Sequence, residues 1–248
     1  MRSMQKISIV TGTLDRIGYL DGLISNTVES NENLELVLVD GGSTDCTIQW
    51  VKNLNHPRVK LVEVGGRSSY PHYMNLGIEN ASHELICQWN DDVLLCNDWE
   101  DVFNSIDEEH DAYLFNWKEG SKESMTDPGW LSCSGMRDNR WIIINNADYP
   151  QRIGEGYKEI VMNYGIYKKD VFRRVGLYNK NYQYYCADGE MAMRAYYSGC
   201  KFKSLLNIKV CVLPAEKRAI MIHEDVARYG RDCSNYIQGN VEGDFELL

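Results

Sequence analysis

Acidic side chains follow two of the hydrophobic runs in this chain of 248 residues. Asp40 closes the run LELVLV, and Asp91 and Asp92 follow the run ELICQWN. Consecutive carboxylates at the end of a buried strand repel each other unless a cation joins them, and oxygen ligands of this kind suit a divalent metal ion. Such an ion could act as a Lewis acid and stabilise the charge of a phosphate leaving group.

A further carboxylate, Asp188, stands at the start of a helix that the pattern predicts near residues 188–198. Its neighbours in the sequence include Tyr184, Tyr185 and Met191. A carboxylate in such a position could accept the proton of a hydroxyl group as a general base. An isolated aspartate at a helix start is also a common helix cap without any chemistry. Its interpretation therefore depends on the other motifs of the chain.

Hydrophobic periodicity predicts the elements that must position these residues. Strands and helices alternate in the N-terminal part, with strands at 6–10, 34–39, 58–64 and 84–89, and helices at 16–29, 48–54 and 71–81. This alternation predicts a parallel sheet with right-handed crossovers, in which ligands bind at the carboxyl ends of the strands. The segments that follow the strands should meet there, namely residues 11–16, 40–45, 65–70 and 90–92. We expect Ser43 or Thr44 to cap the second helix.

The alternation stops after residue 117. Residues 118–162 are rich in Gly, Ser, Asn, Asp and Trp, with a short strand candidate at 140–145. The chain has no internal repeat and no linker. We therefore expect a single domain, 1–248, whose front half, 1–117, is of a nucleotide-binding type and whose back half, 118–248, is irregular.

The composition excludes some classes of protein. The 26 basic and 36 acidic residues give a formal net charge of −10, and the basic residues are scattered singly, which argues against a nucleic-acid binder. The eight cysteines form no C-x-x-C pair, which argues against a zinc site and favours reduced thiols in a cytoplasmic protein. No signal segment and no run of ~20 apolar residues is present, so we expect a soluble protein, with peripheral membrane association left open.

One alternative begins with SIVTGTLDRIGYL at residues 8–20, which is like the glycine-rich first turn of a short-chain NAD(P)-dependent dehydrogenase. Tyr164 and Lys168 would supply the Tyr-x-x-x-Lys pair of such an enzyme. However, Arg16 stands where a dinucleotide-binding turn needs its middle glycine, and Gln151 lies about where the serine of that site would be. The dehydrogenase is therefore the less favoured interpretation.

A different resemblance covers more of the chain. VLVDGGSTDCT resembles the hallmark of nucleotide-sugar glycosyltransferases with the GT-A fold, in the inverting family 2. VTGTLDR resembles the first turn of that family, NLGI its third turn and helix, and WNDDVLLCNDW its metal-binding Asp-x-Asp motif. GLYNKNYQYYCADGEMAMRAYYSGCK resembles its catalytic stretch. The resemblance implies an α/β GT-A fold, with a Rossmann-like, mostly parallel sheet flanked by helices and an irregular C-terminal half on the acceptor side.

The resemblance also implies residue roles. Those implied for nucleotide-sugar binding are Thr11, Thr13, Asp15, Asp40, Gly42, Arg67, Asn75, Asn90 and Asp91. Asp92 would ligate Mn²⁺ or Mg²⁺, and His223 would be either a second ligand or a structural residue. Asp188 would be the catalytic base. On the acceptor side would lie Glu190, the family's second acid, with Trp130 and Trp141, which could stack on sugars or form the core of an irregular subdomain.

The function that the resemblance implies is metal-dependent transfer of a sugar, with inversion, from a nucleotide-diphosphate donor to a hydroxyl acceptor. A UDP-sugar is the favoured donor, and glycan or polysaccharide synthesis the favoured setting. Two positions depart from the family pattern, because Asn90 replaces an aspartate and Ala187 replaces a glutamate. They motivate a second hypothesis, a non-catalytic protein that binds carbohydrate or nucleotide on a decayed GT-A fold.

Overall fold

The computed structural model of the chain describes residues 5–119, 141–142, 151–152, 158–160, 162–213, 223–241, 243 and 245–248. The strands of this part are β1 (Ile7–Thr13), β2 (Leu34–Asp40), β3 (Val59–Glu63), β4 (Leu85–Gln88), β5 (Val93–Leu95), β6 (Ala112–Glu119), β7 (Trp141–Ile142), β8 (Gln151–Arg152), β9 (Lys158–Glu159), β10 (Gly165–Lys168) and β11 (Phe202–Val212). The helices are α1 (Ile17–Asn26), α2 (Thr47–Leu54), α3 (Tyr70–Asn80), α4 (Trp99–Ser105), α5 (Lys169–Val175), α6 (Ala187–Tyr197) and α7 (His223–Ile237).

Nine strands of the described residues form one sheet, in the order β3-β2-β1-β4-β10-β6-β11-β5, with β7 paired to β6. The first four strands along this path are parallel, which confirms the predicted parallel sheet. β10 is antiparallel to both of its neighbours, β4 and β6. The carboxyl ends of β1, β2 and β4 therefore lie along one edge of the sheet, and Thr13 stands beside Asp40 in the register of β1 and β2.

β2 shows why the central strands form where the sequence predicts them. All seven of its residues are buried, as is typical of a parallel strand that is covered on both faces. Its one internal charge is compensated, because the Glu35 carboxylate accepts a hydrogen bond from Ser8 Oγ at 2.7 Å and pairs with Lys60 Nζ at 3.2 Å. Two clusters of apolar side chains form the core around these strands.

Helix α3 packs tightly against β1 at a glycine. A Cβ atom on Gly77 would overlap the side chain of Val10, so any other residue there would force the Val10 side chain or the helix to shift. This close approach explains the glycine of the NLGI motif in packing terms. It also brings the N-terminal end of α3, and the turn before it, towards the carboxyl edge of the sheet.

The predicted strands and helices of the front half are confirmed, with ends that differ by a few residues. The predicted cap of α2 is wrong. Neither Ser43 nor Thr44 caps this helix, because their hydroxyl groups donate hydrogen bonds to Asp40 and Asp15 instead. The first residue of the helix, Thr47, donates its backbone N–H to Asp45 Oδ1 at 2.9 Å.

The cysteines that the structure describes are all free thiols. Among the described helices, none combines the length and the apolar character needed to cross a membrane.

Candidate functional site

Asp15 joins the turn after β1 to the turn after β2. Its backbone is in the left-handed region, with φ of 52°, and its Oδ1 accepts hydrogen bonds from the backbone N–H groups of Thr44 at 2.7 Å and Asp45 at 3.2 Å. In return, the N–H of Asp15 donates to Ser43 Oγ at 2.9 Å. These hydrogen bonds join the two turns into one surface at the edge of the sheet. Asp15 supports this surface through its Oδ1 atom, which accepts the two backbone hydrogen bonds of the second turn.

Asp40 is fully buried at the end of β2. Its Oδ1 accepts hydrogen bonds from the N–H groups of Gly42 and Ser43, both at 2.8 Å, and its Oδ2 accepts one from Ser43 Oγ. Any hydrogen bond from a nucleotide base would use the remaining acceptor capacity of these oxygens. Gly42 has φ of 89°, and a Cβ there would lie 2.8 Å from the backbone N of Gly66, so the glycine lets the second and third turns meet.

Asp91 and Asp92 lie at the end of β4, next to the turn after β1. Thr13 Oγ1 donates a hydrogen bond to Asp91 Oδ2 at 2.8 Å. Arg16 Nη1 lies 3.0 Å from Asp92 Oδ2 and 3.5 Å from Asp91 Oδ1, so one guanidinium group bridges the acid pair. The cation that the sequence required between these carboxylates is thus present as a side chain.

Burial raises the pKa of Asp91 to about 7, an effect that Arg16 opposes and that the charge of Asp92 reinforces. An additional positive charge near the acid pair would therefore favour the charged form of Asp91. Mg²⁺ is commonly bound by one or two carboxylates together with phosphate oxygens of the substrate, so two aspartates fit an ion that is shared with a diphosphate.

No group of three or more His, Cys, Asp and Glu side chains that could hold a metal ion exists within the described residues. His223, the exposed first residue of α7, therefore does not complete a set of three with Asp91 and Asp92. The expectation that His223 closes the metal site gains no support from this geometry, and the acid pair remains the candidate.

The third turn contacts the loop that precedes α6. Arg67 Nε donates a hydrogen bond to the hydroxyl of Tyr184 at 3.1 Å, and its guanidinium lies 5.5 Å from the centre of that ring. The Tyr184 hydroxyl donates in turn to the carbonyl of Ser68 at 2.9 Å. Arg67 is exposed at this place, where its charge faces solvent beside the edge of the sheet.

Asp188 is the second residue of α6, directly after Cys186 and Ala187 at the helix start. Its Oδ1 accepts a hydrogen bond from the N–H of Gly189 at 2.9 Å. Although the residue is partly exposed, the protein atoms around its carboxylate desolvate it, and this raises its pKa to about 6. A carboxylate with this pKa is charged at neutral pH and is a stronger base than an ordinary aspartate.

Glu190 does not lie on an acceptor surface, which corrects the sequence prediction. The residue is fully buried, its Oε1 is 2.8 Å from Nε of the equally buried Arg194, and the hydroxyl of Tyr236 donates to the same oxygen. Arg194 also donates to the carbonyls of residues 175–177. The pair is therefore a structural link between α6 and the segment before it.

Two of the residues expected to bind the donor have other partners. Thr11 is fully buried, and its hydroxyl donates to the carbonyl of Gly12 at 3.1 Å, so its side chain does not reach the site. Asn75 is also buried, and both ends of its amide bond to the backbone of Tyr178, at 2.8 Å and 3.0 Å. Both side chains are therefore buried residues that bond to the backbone near the site, and neither lies on its surface.

Replacing Asn75 by alanine is therefore expected to lower stability. The change leaves the buried N–H and C=O of Tyr178 without their partners, which costs about 1–3 kcal/mol. Chemical denaturation would measure this loss as a lower midpoint, and nucleotide affinity measured on the folded variant should change little. A variant that keeps the wild-type midpoint but loses nucleotide affinity would return Asn75 to the donor site.

Tyr164 and Lys168, the pair of the dehydrogenase alternative, lie at opposite ends of β4. Asn90 Nδ2 donates to the hydroxyl of Tyr164 at 3.3 Å, at the carboxyl end of β4. Lys168 pairs with Leu85 at the opposite end of β4, where its Nζ donates to the carbonyl of Glu108. The Tyr-x-x-x-Lys pair is thus not assembled at the ligand edge, which argues against a dehydrogenase.

The tryptophans expected on the acceptor side are not part of the described site. Trp130 lies outside the described residues. For Trp141, the structure describes the backbone alone, which pairs with β6 as the first residue of β7. The acceptor cleft expected within residues 118–162 stays a prediction.

Two contributors were missed by the sequence reasoning. The sequence pattern does not predict Arg16 as the counter-charge of the acid pair, although its place beside Asp15 in the first turn is a usable signal. Asp225, in the first turn of α7, accepts hydrogen bonds from the loop before α6. Its sequence neighbourhood, IHEDVARYG, carries no spacing signal for such a role.

A sheet of this order, with three turns and an acid pair at its carboxyl edge, defines the GT-A fold, and solved structures agree. A mannosyltransferase from Pyrobaculum calidifontis, PcManGT, in complex with GDP-Man and Mn²⁺, has a TM-score of 0.65 at 15% identity. S. aureus TarS in complex with UDP-GlcNAc has a TM-score of 0.67 at 19% identity. Each match covers 98% of this chain, and 66% and 68% of those chains respectively.

The chain belongs to glycosyl transferase family 2, whose profile matches residues 8–176. An uncharacterized glycosyltransferase from Haemophilus influenzae is 32% identical over 99 residues, which is 39% of this chain and 40% of that protein. The family resemblance inferred from the strand-end motifs is thereby confirmed. The matched region spans less than half of the Haemophilus relative.

Proposed function

We propose that this chain is a metal-dependent inverting glycosyltransferase that moves a sugar from a nucleoside-diphosphate donor, a UDP-sugar, to a hydroxyl group in glycan or polysaccharide synthesis. The observation that carries the proposal is the acid pair Asp91 and Asp92, which stands beside the turns after β1 and β2. Ligands of open α/β sheets bind at this edge. Relatives of the same fold in complexes with GDP-Man and with UDP-GlcNAc support a nucleotide-sugar donor.

In the proposed reaction the acceptor oxygen attacks the anomeric carbon while the bond from that carbon to the diphosphate breaks, and the bonding electron pair leaves with the diphosphate. Asp188 takes the proton of the acceptor hydroxyl as the new bond forms. Asp91 and Asp92 would hold Mn²⁺ or Mg²⁺, which supplies positive charge to the departing diphosphate when bound. Arg16 would share the acid pair with that ion. Because a single in-line displacement inverts the anomeric centre, one base suffices.

The donor would lie on the joined first and second turns. Asp40 and the backbone around Gly42 would contact the base, and Thr13 would orient Asp91 through the hydrogen bond that it donates. Arg67, exposed on the third turn, would contribute a cation to the base or to the diphosphate. We also propose a cytoplasmic location, which the free thiols of the described cysteines favour.

A panel of sugar nucleotides tests this proposal. UDP-glucose, UDP-N-acetylglucosamine and GDP-mannose would each be added with Mn²⁺, and the melting temperature of the protein would be recorded. A donor that binds only the folded state raises the melting temperature, and at equal concentration a tighter-binding donor raises it more. The proposal expects one nucleotide class to stabilise the protein in a metal-dependent way, and the absence of any such shift would contradict it.

The second hypothesis, a non-catalytic protein on this fold, is favoured by Asn90 and Ala187, since neither can act as the acid of the family pattern. Asn90 donates a hydrogen bond to Tyr164, so it serves a structural contact at the edge of the site. Donor hydrolysis discriminates the two hypotheses. A transferase should slowly release the nucleoside diphosphate to water in the presence of metal, whereas a binding protein should release none.

Turnover is expected to fall as the pH is lowered through about 6. The pKa of Asp188 is raised to about 6 by desolvation, so below that pH its carboxyl group carries a proton and cannot accept another. The expected loss approaches tenfold per pH unit in kcat. Measuring kcat at saturating donor separates this effect from Asp91, whose pKa of about 7 acts on donor binding. A kcat that is flat from about pH 5 to 8 would contradict Asp188 as the base.

A further inference from the structure

The loop before α6 is held by a carboxylate from a different helix. Asp225, in the first turn of α7, is only 2% exposed. Its Oδ1 accepts a hydrogen bond from the N–H of Gln183 at 3.0 Å, and its Oδ2 accepts from Tyr184 at 2.9 Å and from Tyr185 at 3.0 Å. Three consecutive backbone N–H groups thus converge on one side chain, which fixes the direction of this loop.

This loop connects directly to Asp188. Cys186, which follows the clamped residues, has φ of 61°, and α6 begins at the next residue. A left-handed residue between a clamped loop and a helix start turns the chain sharply, so the loop sets the direction in which the first turn of α6 enters the site.

The same loop contacts the donor side of the site. The carbonyl of Gln183 accepts a hydrogen bond from the N–H of Tyr70 at 2.7 Å, at the start of α3. The Tyr184 hydroxyl bonds to Ser68 and Arg67 in the third turn. Residues 183–185 are therefore hydrogen-bonded to the third turn and to the start of α3, and also to Asp225 of α7. The same segment leads directly into α6, which carries Asp188.

We infer that Asp225 is a positioning residue for the transfer reaction, acting through the 183–185 backbone to fix Asp188 relative to the donor. This inference rests on the proposed function, because it needs Asp188 to be the base. Misplacing a reacting group by about 1 Å can lower a rate by roughly 10²-fold. Loss of the clamp should therefore affect kcat more strongly than it affects nucleotide binding, because most of the proposed nucleotide contacts lie on the first and second turns and only Arg67 lies on the third.

The test is Asp225→Asn, which keeps the size of the side chain but removes its charge and half of its acceptor capacity. Asp232→Asn is the matched control, since Asp232 lies on the same helix and accepts a hydrogen bond from the side chain of Tyr182 at 2.8 Å, not from the 183–185 backbone. Two quantities are measured on the purified, folded variants. One is hydrogen exchange of the 183–185 amides, and the other is kcat and KM for the sugar nucleotide that the panel selects.

We expect Asp225→Asn to speed exchange at these three amides and to lower kcat by roughly 10–100-fold with little change in KM, while Asp232→Asn leaves both close to wild type. Unchanged exchange would overturn the inference, and so would faster exchange with an unchanged kcat. If the wild type turns over no sugar nucleotide, the proposed function and this inference fall together. If the wild type is active and both variants lose kcat equally, the inference alone falls.

Discussion

Replacing Asp188 by asparagine is expected to lower turnover by roughly 10²–10⁴-fold with little change in nucleotide affinity. Asparagine keeps the shape of the side chain and its hydrogen bond from Gly189, but it cannot accept the proton of the acceptor. The diphosphate and the acid pair at the end of β4 are unchanged, so the donor should still bind. Single-turnover kinetics with the selected sugar nucleotide, together with calorimetry of nucleotide binding, would measure both quantities.

The stability of this variant provides an independent check. The folded state raises the pKa of Asp188 above its ordinary value, so the charged carboxylate opposes folding at neutral pH and this cost disappears as the pH falls. Asp188→Asn should therefore be at least as stable as the wild type near pH 7.

Asp170→Asn is the matched control for this prediction, because Asp170 is also the second residue of a helix, α5, where it forms an exposed ion pair with Arg174. The control should keep full turnover. Equal losses in the two variants would contradict the assignment of Asp188 as the base.

Replacing Asp92 by alanine is expected to remove the part of nucleotide affinity that depends on metal. Asp92 is the proposed direct ligand, so the loss should reach at least the roughly 10–100-fold that follows when a partner of a metal ligand is mutated. The fold should survive, because Asp92 lies partly exposed in a turn and Arg16 retains its contact with Asp91. Calorimetric titration of UDP with and without Mn²⁺ measures the effect.

Asp98→Ala controls for the loss of a nearby negative charge. Asp98 precedes α4, is exposed, and makes no side-chain cap for that helix. This variant should show the metal-dependent affinity of the wild type. An Asp92→Ala protein that binds UDP as tightly as the wild type in the presence of Mn²⁺ would show that the ion, if it binds, is held elsewhere.

The front half of the fold could be predicted because its strands are buried on both faces. A short run such as LELVLV favours a covered strand, and its alternation with amphipathic helices then predicts a parallel sheet. The strand ends followed from the same pattern, which is why Asp40, Asp91 and Asp92 were found. Asp188 was found through its place at a helix start within a family-like stretch.

The partners of these side chains could not be predicted in the same way. Whether Ser43 caps α2 or bonds to Asp40, and whether Glu190 faces a cleft or Arg194, depends on the direction of a few backbone groups that periodicity does not encode. Contacts such as that between Arg16 and Asp92 join segments far apart in the sequence. Asp225 is the clearest case, because the groups that donate hydrogen bonds to its carboxylate are backbone N–H groups, which every residue type except proline carries.

The strand order also bears on how the protein folds. β10, which comes late in the chain, lies between β4 of the front half and β6. A fragment that ended before residue 117 would leave the backbone of Leu85–Gln88 without its neighbour, as an open sheet edge of apolar residues. Such an edge is a template for pairing with other chains. We therefore expect the front half, residues 1–117, to complete its sheet during synthesis only after the segment that carries Gly165–Lys168 has emerged.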